Sequence, residues 1–460
     1  DEQFAKRALT AFNTFCLVLL VFAYEGLNYG AIHYTYPVQA QGLTQCLELE
    51  WIRRHFWQCL IYNHFQPPLF CNFILGLLYI ASPSHIIQNF LVINHIAMFV
   101  SFLLFLATLN LLKIRQFWIF IFSLIFIFHP YRTLWVNAVF YIILSQAFLT
   151  AALFFFIRYV QNEKARWLAA LGLTLVLLTW LNSYYHFAFA CAAMLLAFYL
   201  SNKKTNRKLV IVVIFCAAAL IVPLKNWLVF GSFSSSSTLG GVLQQRIGMP
   251  RELLLQEVRK GDLPSGFLTS IYDSKTYTSS VRPIPDRFRN IECLTKQWKD
   301  RRQPVPTCVT CEDFNYNYYN VFVVNREFVR GSLRLIAEHP LYYLKRTIPQ
   351  FFFYFSGIGD MDPVFKSINY ENHALSYRGA LYILSFLFSL FWLLLNHNKW
   401  NSEIYKLVVF LAFTLTYGIV VGIFLCSDDG LRYRLPLEPY FLLLAAFAAN
   451  HVRVSLDLNQ

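Results

Sequence analysis

The sequence predicts an all-α polytopic membrane protein, and three observations lead to this fold class. Of 460 residues, 57% are hydrophobic, 18% aromatic and only 14% charged, which excludes a soluble globular protein of this length. Long apolar runs recur along the whole chain, as in proteins with several membrane-spanning helices. Lysine and arginine gather in short clusters between these runs. The net charge of +14 is therefore typical of topology signals and lipid headgroup contacts, and not of nucleic-acid binding.

The apolar runs predict about ten transmembrane helices. Lys6 and Arg7 precede the first run, and no small-residue cleavage site follows it, so we interpret it as a span and not as a signal peptide. Segments 67–82 and 347–357 are short for a hydrocarbon core of about 30 Å, so we expect both to be short interfacial segments. The predicted spans are residues 8–24, 90–112, 116–130, 136–158, 166–181, 183–200, 208–229, 378–396, 404–426 and 435–451.

The basic clusters predict which helix ends share the cytoplasmic face. These clusters are Lys113/Arg115, Arg158/Lys164/Arg166, Lys203/Lys204/Arg207/Lys208 and Lys399/Lys406. Two polar segments then lie on the other face: a first external loop, residues 25–66, and an external domain, residues 231–346, which forms a mostly helical cap. The chain divides into an N-terminal transmembrane module (1–230), this external domain and a C-terminal transmembrane module (347–460). Function is expected on the external face, where irregular polar chain concentrates.

Cysteine positions agree with this topology. Four cysteines lie in apolar runs and are expected to be small core residues: Cys16, Cys71, Cys191 and Cys216. Cys308 and Cys311 have the spacing of a redox or zinc pair, but no second pair accompanies them. On an oxidising side of the membrane a structural disulfide is favoured, and we expect Cys293 to bond to Cys308 or Cys311.

Four short motifs follow one another along the chain. They are His64-Phe65-Gln66-Pro67-Pro68-Leu69-Phe70; Asn226-Trp227-Leu228-Val229-Phe230-Gly231 with Ser237-Thr238-Leu239-Gly240-Gly241; Glu338-His339-Pro340 with Tyr343-Leu344-Lys345-Arg346; and Arg432-Tyr433-Arg434-Leu435-Pro436-Leu437-Glu438-Pro439. Together they resemble the C-type glycosyltransferases, in the branch related to protein O-mannosyltransferases and the lipid A aminoarabinose transferase. The resemblance implies an enzyme that takes a sugar from a polyprenyl or dolichyl phosphate lipid on the non-cytoplasmic face. The acceptor would be a protein, a lipid or a glycan.

Such an enzyme has to hold the donor's phosphate at the membrane surface. Arg432 and Arg434 suit this role, because planar guanidinium groups grip phosphate in bidentate fashion. The further lipid-phosphate-binding candidates are Lys345, Arg346, Gln66 and His64. The alternative interpretation makes the arginines interfacial anchors and His64 a packing residue.

Sugar transfer also needs a carboxylate that deprotonates the acceptor. The acidic residues usual in the family are not evident, since the expected stretch of the first loop, residues 34–40, contains no carboxylate. The catalytic candidates are therefore Glu25, at the end of the first span, Glu50, and Asp429, just before Arg432. For Glu25 and Glu50 the alternatives are a span-terminal glutamate and a solvated helix face. Some members use a divalent metal, but no acidic cluster here indicates a metal site.

Two other classes of function remain open. Because the family's acids are not evident, the same fold could serve as a catalytically inactive, lipid-binding or structural subunit of a membrane complex. A transporter is the third alternative, disfavoured by the near absence of ionisable residues within the predicted spans.

Overall fold

The computed structural model describes residues 2–31, 45–269, 273–278, 282–298, 314–356, 387, 402–425 and 433–457. Apart from an isolated β-bridge between Trp298 and Phe314, these residues form helices, turns and loops. The helices of the first module are α1 (Glu2–Ala31), α2 (Leu49–Arg54), α3 (Phe56–Tyr62), α4 (Leu69–Ala81, π-helical over Leu69–Leu75), α5 (Ile86–Leu111), α6 (Gln116–Ile127), α7 (Pro130–Val136), α8 (Ile142–Asn162), α9 (Ala165–Leu181), α10 (Phe187–Tyr199) and α11 (Asn206–Phe230).

The later helices belong to the external segment and to the C-terminal module. They are α12 (Leu239–Arg246), α13 (Arg251–Arg259), α14 (Lys275–Thr278), α15 (Glu292–Thr295), α16 (Tyr319–Glu338), α17 (Pro340–Ser356), α18 (Ser402–Val420) and α19 (Glu438–Asp457). A π-helical turn, Val421–Leu425, continues α18. The predicted span 378–396 lies outside the described residues, apart from Leu387.

Five helical stretches among the described residues are long and apolar enough to cross a membrane, so the chain is a helical membrane protein. They are Thr10–Tyr29, Pro83–Leu111, Ile142–Asn162, Asn206–Phe230 and Ser402–Leu425. The helices α6, α9 and α10 lie where spans were predicted, but at 12, 17 and 13 residues they are short for a bilayer core. The count of ten spans therefore stays a prediction. The expected short segment 67–82 is confirmed as the short apolar helix α4.

The predicted span 136–158 is wrong at its start, because α8 begins only at Ile142. The preceding residues form the separate helix α7 and a tight turn. The buried side chain of Asn94 donates from Nδ2 to the carbonyl oxygens of Val136 and Ala138, at 3.3 and 2.8 Å. The two carbonyl oxygens therefore have a hydrogen-bond donor outside the helix. The helical hydrogen-bond pattern can stop here without leaving a buried carbonyl unpaired.

The basic clusters that the sequence places together do meet at one end of the bundle. Glu163, between α8 and α9, lies 2.5 Å from the ammonium nitrogen of Lys208 on α11 and 3.8 Å from that of Lys406 on α18. At the same end, the backbone N–H of Arg115 donates to Asn450 Oδ1 at 3.0 Å. Helices that enter from this basic end run toward the opposite end, which carries the external segment.

The external segment has an apolar core of its own. Buried residues between Ile247 and Leu335 cluster there and are joined by Phe65 of the first loop. Asn317 binds that loop: its Oδ1 accepts from the backbone N–H of His64 at 2.8 Å, and its Nδ2 donates to the Tyr62 carbonyl at 3.0 Å. The first loop and the external segment are therefore packed as one layer over the end of the bundle.

The disulfide differs from the one predicted. Cys46 is bonded to Cys71, which joins the first loop to α4. Cys71 is buried in the core as predicted, but it is disulfide-bonded, because its apolar run folds back as the short helix α4 beside the loop. Cys16, also predicted to be a core residue, is exposed on α1, so that prediction is wrong. Cys293 is a buried free thiol, so its predicted bond is not found, and Cys308 and Cys311 lie outside the described residues.

Candidate functional site

A groove of about 370 Å³ lies at the end of the bundle opposite the basic clusters. It is bounded by the turn between α9 and α10, the serine-rich segment after α11, the helix α12, the end of α18, and Tyr433. Its aromatic wall consists of Tyr141, Tyr184, Tyr417 and Tyr433, and its polar groups come from Asn182, Ser183, His186, Ser234, Ser235, Ser236 and Thr238. The apolar remainder is Ala188, Leu239, Val242, Val421 and Leu425. Aromatic faces combined with a few hydroxyl and amide groups suit a polyhydroxylated, partly apolar ligand.

The turn 182–186 forms one wall of the groove and is held from both sides. Asn182 Oδ1 accepts from the backbone N–H of Tyr184 at 3.0 Å. The Tyr184 hydroxyl donates to the carbonyl of Gly418, and the Tyr417 hydroxyl donates to the Tyr184 carbonyl at 2.7 Å. The Tyr184 ring also stacks on Tyr433, with ring centres 4.8 Å apart. This wall is therefore held in place by hydrogen bonds to α18 and by ring stacking on Tyr433, the neighbour of Arg434.

The opposite wall is built from the second motif. Gly231 ends α11 in the left-handed region, at φ 71°, which glycine adopts without steric cost. Asn226 Nδ2 then donates to the Ser234 carbonyl at 2.6 Å, and the Ser237 N–H donates to the His64 carbonyl at 2.9 Å. The motif therefore places the serine segment between the first loop and the groove.

Arg434 lies beside the groove but is itself buried. Its Nη1 donates to the Tyr354 carbonyl at 3.3 Å, which ties the fourth motif to α17. Tyr433, its neighbour, lines the groove, as does Leu425 before the intervening segment. Arg432 and Asp429 belong to that segment and lie outside the described residues.

A buried ionic cluster that was not predicted from the sequence lies next to the fourth motif. Glu438 binds Arg132 at 2.5 Å and His129 at 2.8 Å, and both the glutamate and the arginine are about 2% exposed or less. The Arg132 guanidinium also lies 3.9 Å from the centre of the Phe126 ring. His129 and Arg132 lie where the predicted spans 116–130 and 136–158 meet, and Glu438 lies in the fourth motif. Their pairing needs α6, α7 and α19 to meet in three dimensions.

Glu25 is buried near the end of α1, where the structure gives it a partner. Its carboxylate lies 2.6 Å from His95 Nδ1 on α5, and His95 Nε2 lies 3.3 Å from Asn137 Oδ1. An amide oxygen can only accept a hydrogen bond, so His95 Nε2 is the donor to Asn137, and Nδ1 faces the carboxylate. Asn137 is also close in sequence to Tyr141 of the groove, which bounds their Cα separation at about 14 Å.

Glu50 contacts Arg53 at 2.6 Å and Arg54 at 2.8 Å on the surface of α2. The hydrogen bond from Arg53 lowers the pKa of this carboxyl group below its usual value. A carboxylate stabilised in this way is a weaker base. Its contacts favour the solvated-face interpretation.

His64 and Gln66 are bound within the protein. His64 Nε2 donates to the Asn317 carbonyl at 3.0 Å, and its Nδ1 lies 2.9 Å from Ser237 Oγ. Burial lowers the pKa of His64 to about 3, so the ring is neutral near neutral pH. Gln66 Nε2 donates to Gln45 Oε1 at 3.1 Å. These contacts favour the packing alternative for His64 over a phosphate-binding cation.

Lys345 and Arg346 are exposed on α17, and the aliphatic part of Arg346 lies against Gly248 of the external segment. Tyr343, on the same helix, donates to the Phe424 carbonyl at 2.5 Å. This bond connects the third motif to the π-helical turn that borders the groove.

A second cavity, of about 450 Å³, lies at the basic end among residues that include Lys113, Phe156, Glu403 and Asn450. It is larger, but none of the four motifs contributes to it, so we take the groove as the candidate site. Within the described ranges, no group of three or more His, Cys, Asp or Glu side chains could hold a metal ion.

The fold and this groove define the class of protein: a helical membrane protein with a polar, aromatic groove at one end of its bundle. Comparison of the chain with protein families, with curated proteins and with solved structures finds no match.

Proposed function

We propose that this protein is a multi-pass, membrane-embedded glycosyltransferase with its groove on the non-cytoplasmic face. It would move a sugar from a polyprenyl or dolichyl phosphate lipid to a protein, lipid or glycan acceptor. The observation that supports this most is the groove itself. Four tyrosines and a set of serine, asparagine and histidine groups surround a cavity of sugar size beside the Arg432-Tyr433-Arg434 segment.

In this proposal the sugar lies against the tyrosines, and the lipid tail extends along the apolar residues toward the bilayer. An acceptor hydroxyl attacks the anomeric carbon while the bond from that carbon to the phosphate oxygen breaks. The lipid phosphate leaves with the electron pair, and guanidinium groups stabilise its charge. Arg432 is our first candidate for this contact, because Arg434 also supports the Tyr354 carbonyl.

The proton of the acceptor needs a carboxylate, and two candidates stay in the proposal. Glu25 lies with His95 in a buried pair that can accept a proton and share it. Asp429 lies in sequence between Leu425 and Tyr433, which both line the groove. Glu50 is less suitable, because Arg53 keeps its pKa low.

The second candidate function is a catalytically inactive lipid-binding subunit. It is favoured by one observation: the described residues that line the groove include no carboxylate. A subunit of this kind would bind the lipid-linked donor but would not transfer its sugar.

The test uses the purified full chain with polyprenyl-phosphate sugars, and scores binding, hydrolysis and transfer. Val242→Trp fills the groove, and we expect it to lower transfer at least tenfold. Val213→Trp is the matched control, since Val213 is 58% exposed on the outer face of α11. Glu25→Gln, Asp429→Asn and Arg432→Ala then test the individual roles. Wild-type protein that neither binds nor turns over these donors would refute the proposal.

A further inference from the structure

Two free thiols meet where the first loop joins the external segment. Cys59 lies on α3 and Cys293 on α15, and each is about 2% exposed. The helices α3 and α15 are in contact, so the two side chains are neighbours in the interior. The two cysteines are far apart in sequence, so a bond between them would connect two different parts of the fold.

The backbone on both sides of this pair is held in place. Asn315 Nδ2 donates to the Cys293 carbonyl at 2.9 Å, and the amide of Asn317 bridges the same carbonyl and that of Tyr62, at 3.5 and 3.0 Å. On the bundle side, the Lys225 ammonium donates to the Asn63 carbonyl, one residue beyond α3. The two cysteines therefore lie in a junction whose backbone is fixed on both sides, and not on two independent loops.

The same layer already contains an oxidised pair. The Cys46–Cys71 disulfide joins the middle of the first loop to α4, next to α3. Disulfides persist in oxidising compartments, so a neighbouring thiol pair in contact is exposed to the same conditions during folding. We propose that Cys59 and Cys293 form a second disulfide that covalently joins the first loop to the external segment.

The reaction is a thiol–disulfide exchange with a disulfide oxidant, such as an oxidised thiol oxidoreductase or glutathione disulfide. One thiolate attacks the oxidant and forms a mixed disulfide, and the second thiolate then displaces the reduced oxidant. Two thiols are oxidised by two electrons, and the oxidant's two sulfurs leave as thiols carrying the protons. The contact with Cys59 and burial raise the pKa of Cys293, so this exchange belongs to folding, before the pair is buried.

The bond has a consequence for the groove. The loop that it ties down carries His64 and Phe65, which hold the serine segment of the groove through the Ser237 N–H and the Ser236 hydroxyl. The inference does not depend on sugar transfer, and it holds or fails whatever the groove binds.

The test is peptide mapping of the full chain, expressed into its membrane, trapped with maleimide under denaturing conditions and digested without reductant. We expect a Cys59–Cys293 linked peptide that disappears on reduction. Cys46–Cys71 serves as the linked reference, and the exposed Cys16 serves as the free-thiol reference.

A Cys59→Ser variant should gain one maleimide, at Cys293. This readout survives any folding defect, because labelling is done on the denatured chain. Alkylation of both Cys59 and Cys293 in the wild-type protein would overturn the inference. So would a bond from Cys293 to Cys308 or Cys311, or a chain without any linked peptide.

Discussion

At the scale of single residues, the Glu438 carboxylate is the most consequential side chain in the described structure. It lies among Arg132 and His129 in a region that water does not reach. A buried guanidinium is tolerated there because a carboxylate faces it. Replacing either Glu438 or Arg132 alone would leave the buried charge of the other uncompensated.

We therefore expect Glu438→Gln to lower the free energy of unfolding by about 3–5 kcal/mol, the usual cost of breaking a buried ion pair on one side. Thermal unfolding in detergent measures this. The matched control is Glu252→Gln on the exposed face of α13, where a change within about 0.5 kcal/mol is expected. Equal stability of the two variants would show that the cluster does not hold the helices together.

His64 predicts an acid sensitivity. Its pKa is about 3 in the folded protein, against about 6.5 in an unfolded chain, so the unfolded state binds more protons between these values. Stability is therefore complete above about pH 6.5 and falls as pH is lowered toward 3, by at most about 1.4 kcal/mol for each pH unit.

Unfolding midpoints measured from pH 7 to pH 4 check this. His64→Gln keeps an amide that can bond to Ser237 and Asn317 but does not titrate, so its midpoint should fall less steeply than that of the wild-type protein. His85→Gln, at an exposed histidine, should follow the wild-type slope. An unchanged slope in His64→Gln would contradict the expectation.

At the scale of elements, the contact between α12 and α16 explains the paired glycines of the second motif. A Cβ atom on Gly240 would lie 1.9 Å from the carbonyl oxygen of Asn325, and the Gly241 N–H donates to Asn325 Oδ1 at 2.9 Å. The two backbones approach so closely that only glycine fits at position 240. A motif that resembles a family signature thus has a packing role here.

Gly240→Ala should lower stability by about 1–3 kcal/mol, because neither backbone can move without separating the helices. Gly26→Ala is the control: this glycine lies within α1 with no atom within 4 Å of the added carbon. Alanine there should leave stability unchanged or raise it by up to about 1 kcal/mol. The measurement is the unfolding of both variants in detergent. Equal stability of the two variants would argue against the close contact between α12 and α16.

Helix positions were largely predictable, because hydrophobicity over some twenty residues is a local property of the chain. Each of nine predicted spans contains a helix among the described residues, although the helices in spans 136–158 and 183–200 begin only at Ile142 and Phe187. Segment 67–82 is indeed a short helix. The start of α8 was not predictable, because it is set by Asn94, which is distant in sequence. The fate of Cys71 depended on a tertiary partner in the same way.

At the scale of the whole molecule, the two ends of the bundle differ in chemistry. One end gathers Lys208 and Lys406 around Glu163, and the other carries the groove and the external segment. The positive-inside rule predicts that the basic end faces the cytoplasm. The groove would then open on the opposite face.

This orientation is testable by labelling with a membrane-impermeant maleimide. In a Cys16→Ser background, Lys260→Cys should gain label in intact cells, and Arg207→Cys only after permeabilisation. Both positions are exposed, one in the external segment and one at the basic end. The reverse pattern would place the groove in the cytoplasm and exclude transfer from an external lipid-linked sugar.

The candidate site was predictable only in part. The fourth motif led to the right end of the bundle, since Tyr433 lines the groove. The tyrosines and serines that form most of its walls come from five separate stretches of chain, and no single stretch marks them. His64 and Glu50 were predicted from their residue types, yet burial makes His64 neutral and two arginines make Glu50 part of a surface ion pair.

The sequence alone determined the class of protein, the helix positions and the end at which the basic residues gather. These depend on local hydrophobicity and on charge next to it, which the chain carries wherever it folds. Only the tertiary structure decided which ionisable groups pair, which cysteines bond and where a groove opens. Those outcomes depend on distances between residues far apart in sequence, and helix packing alone sets these distances.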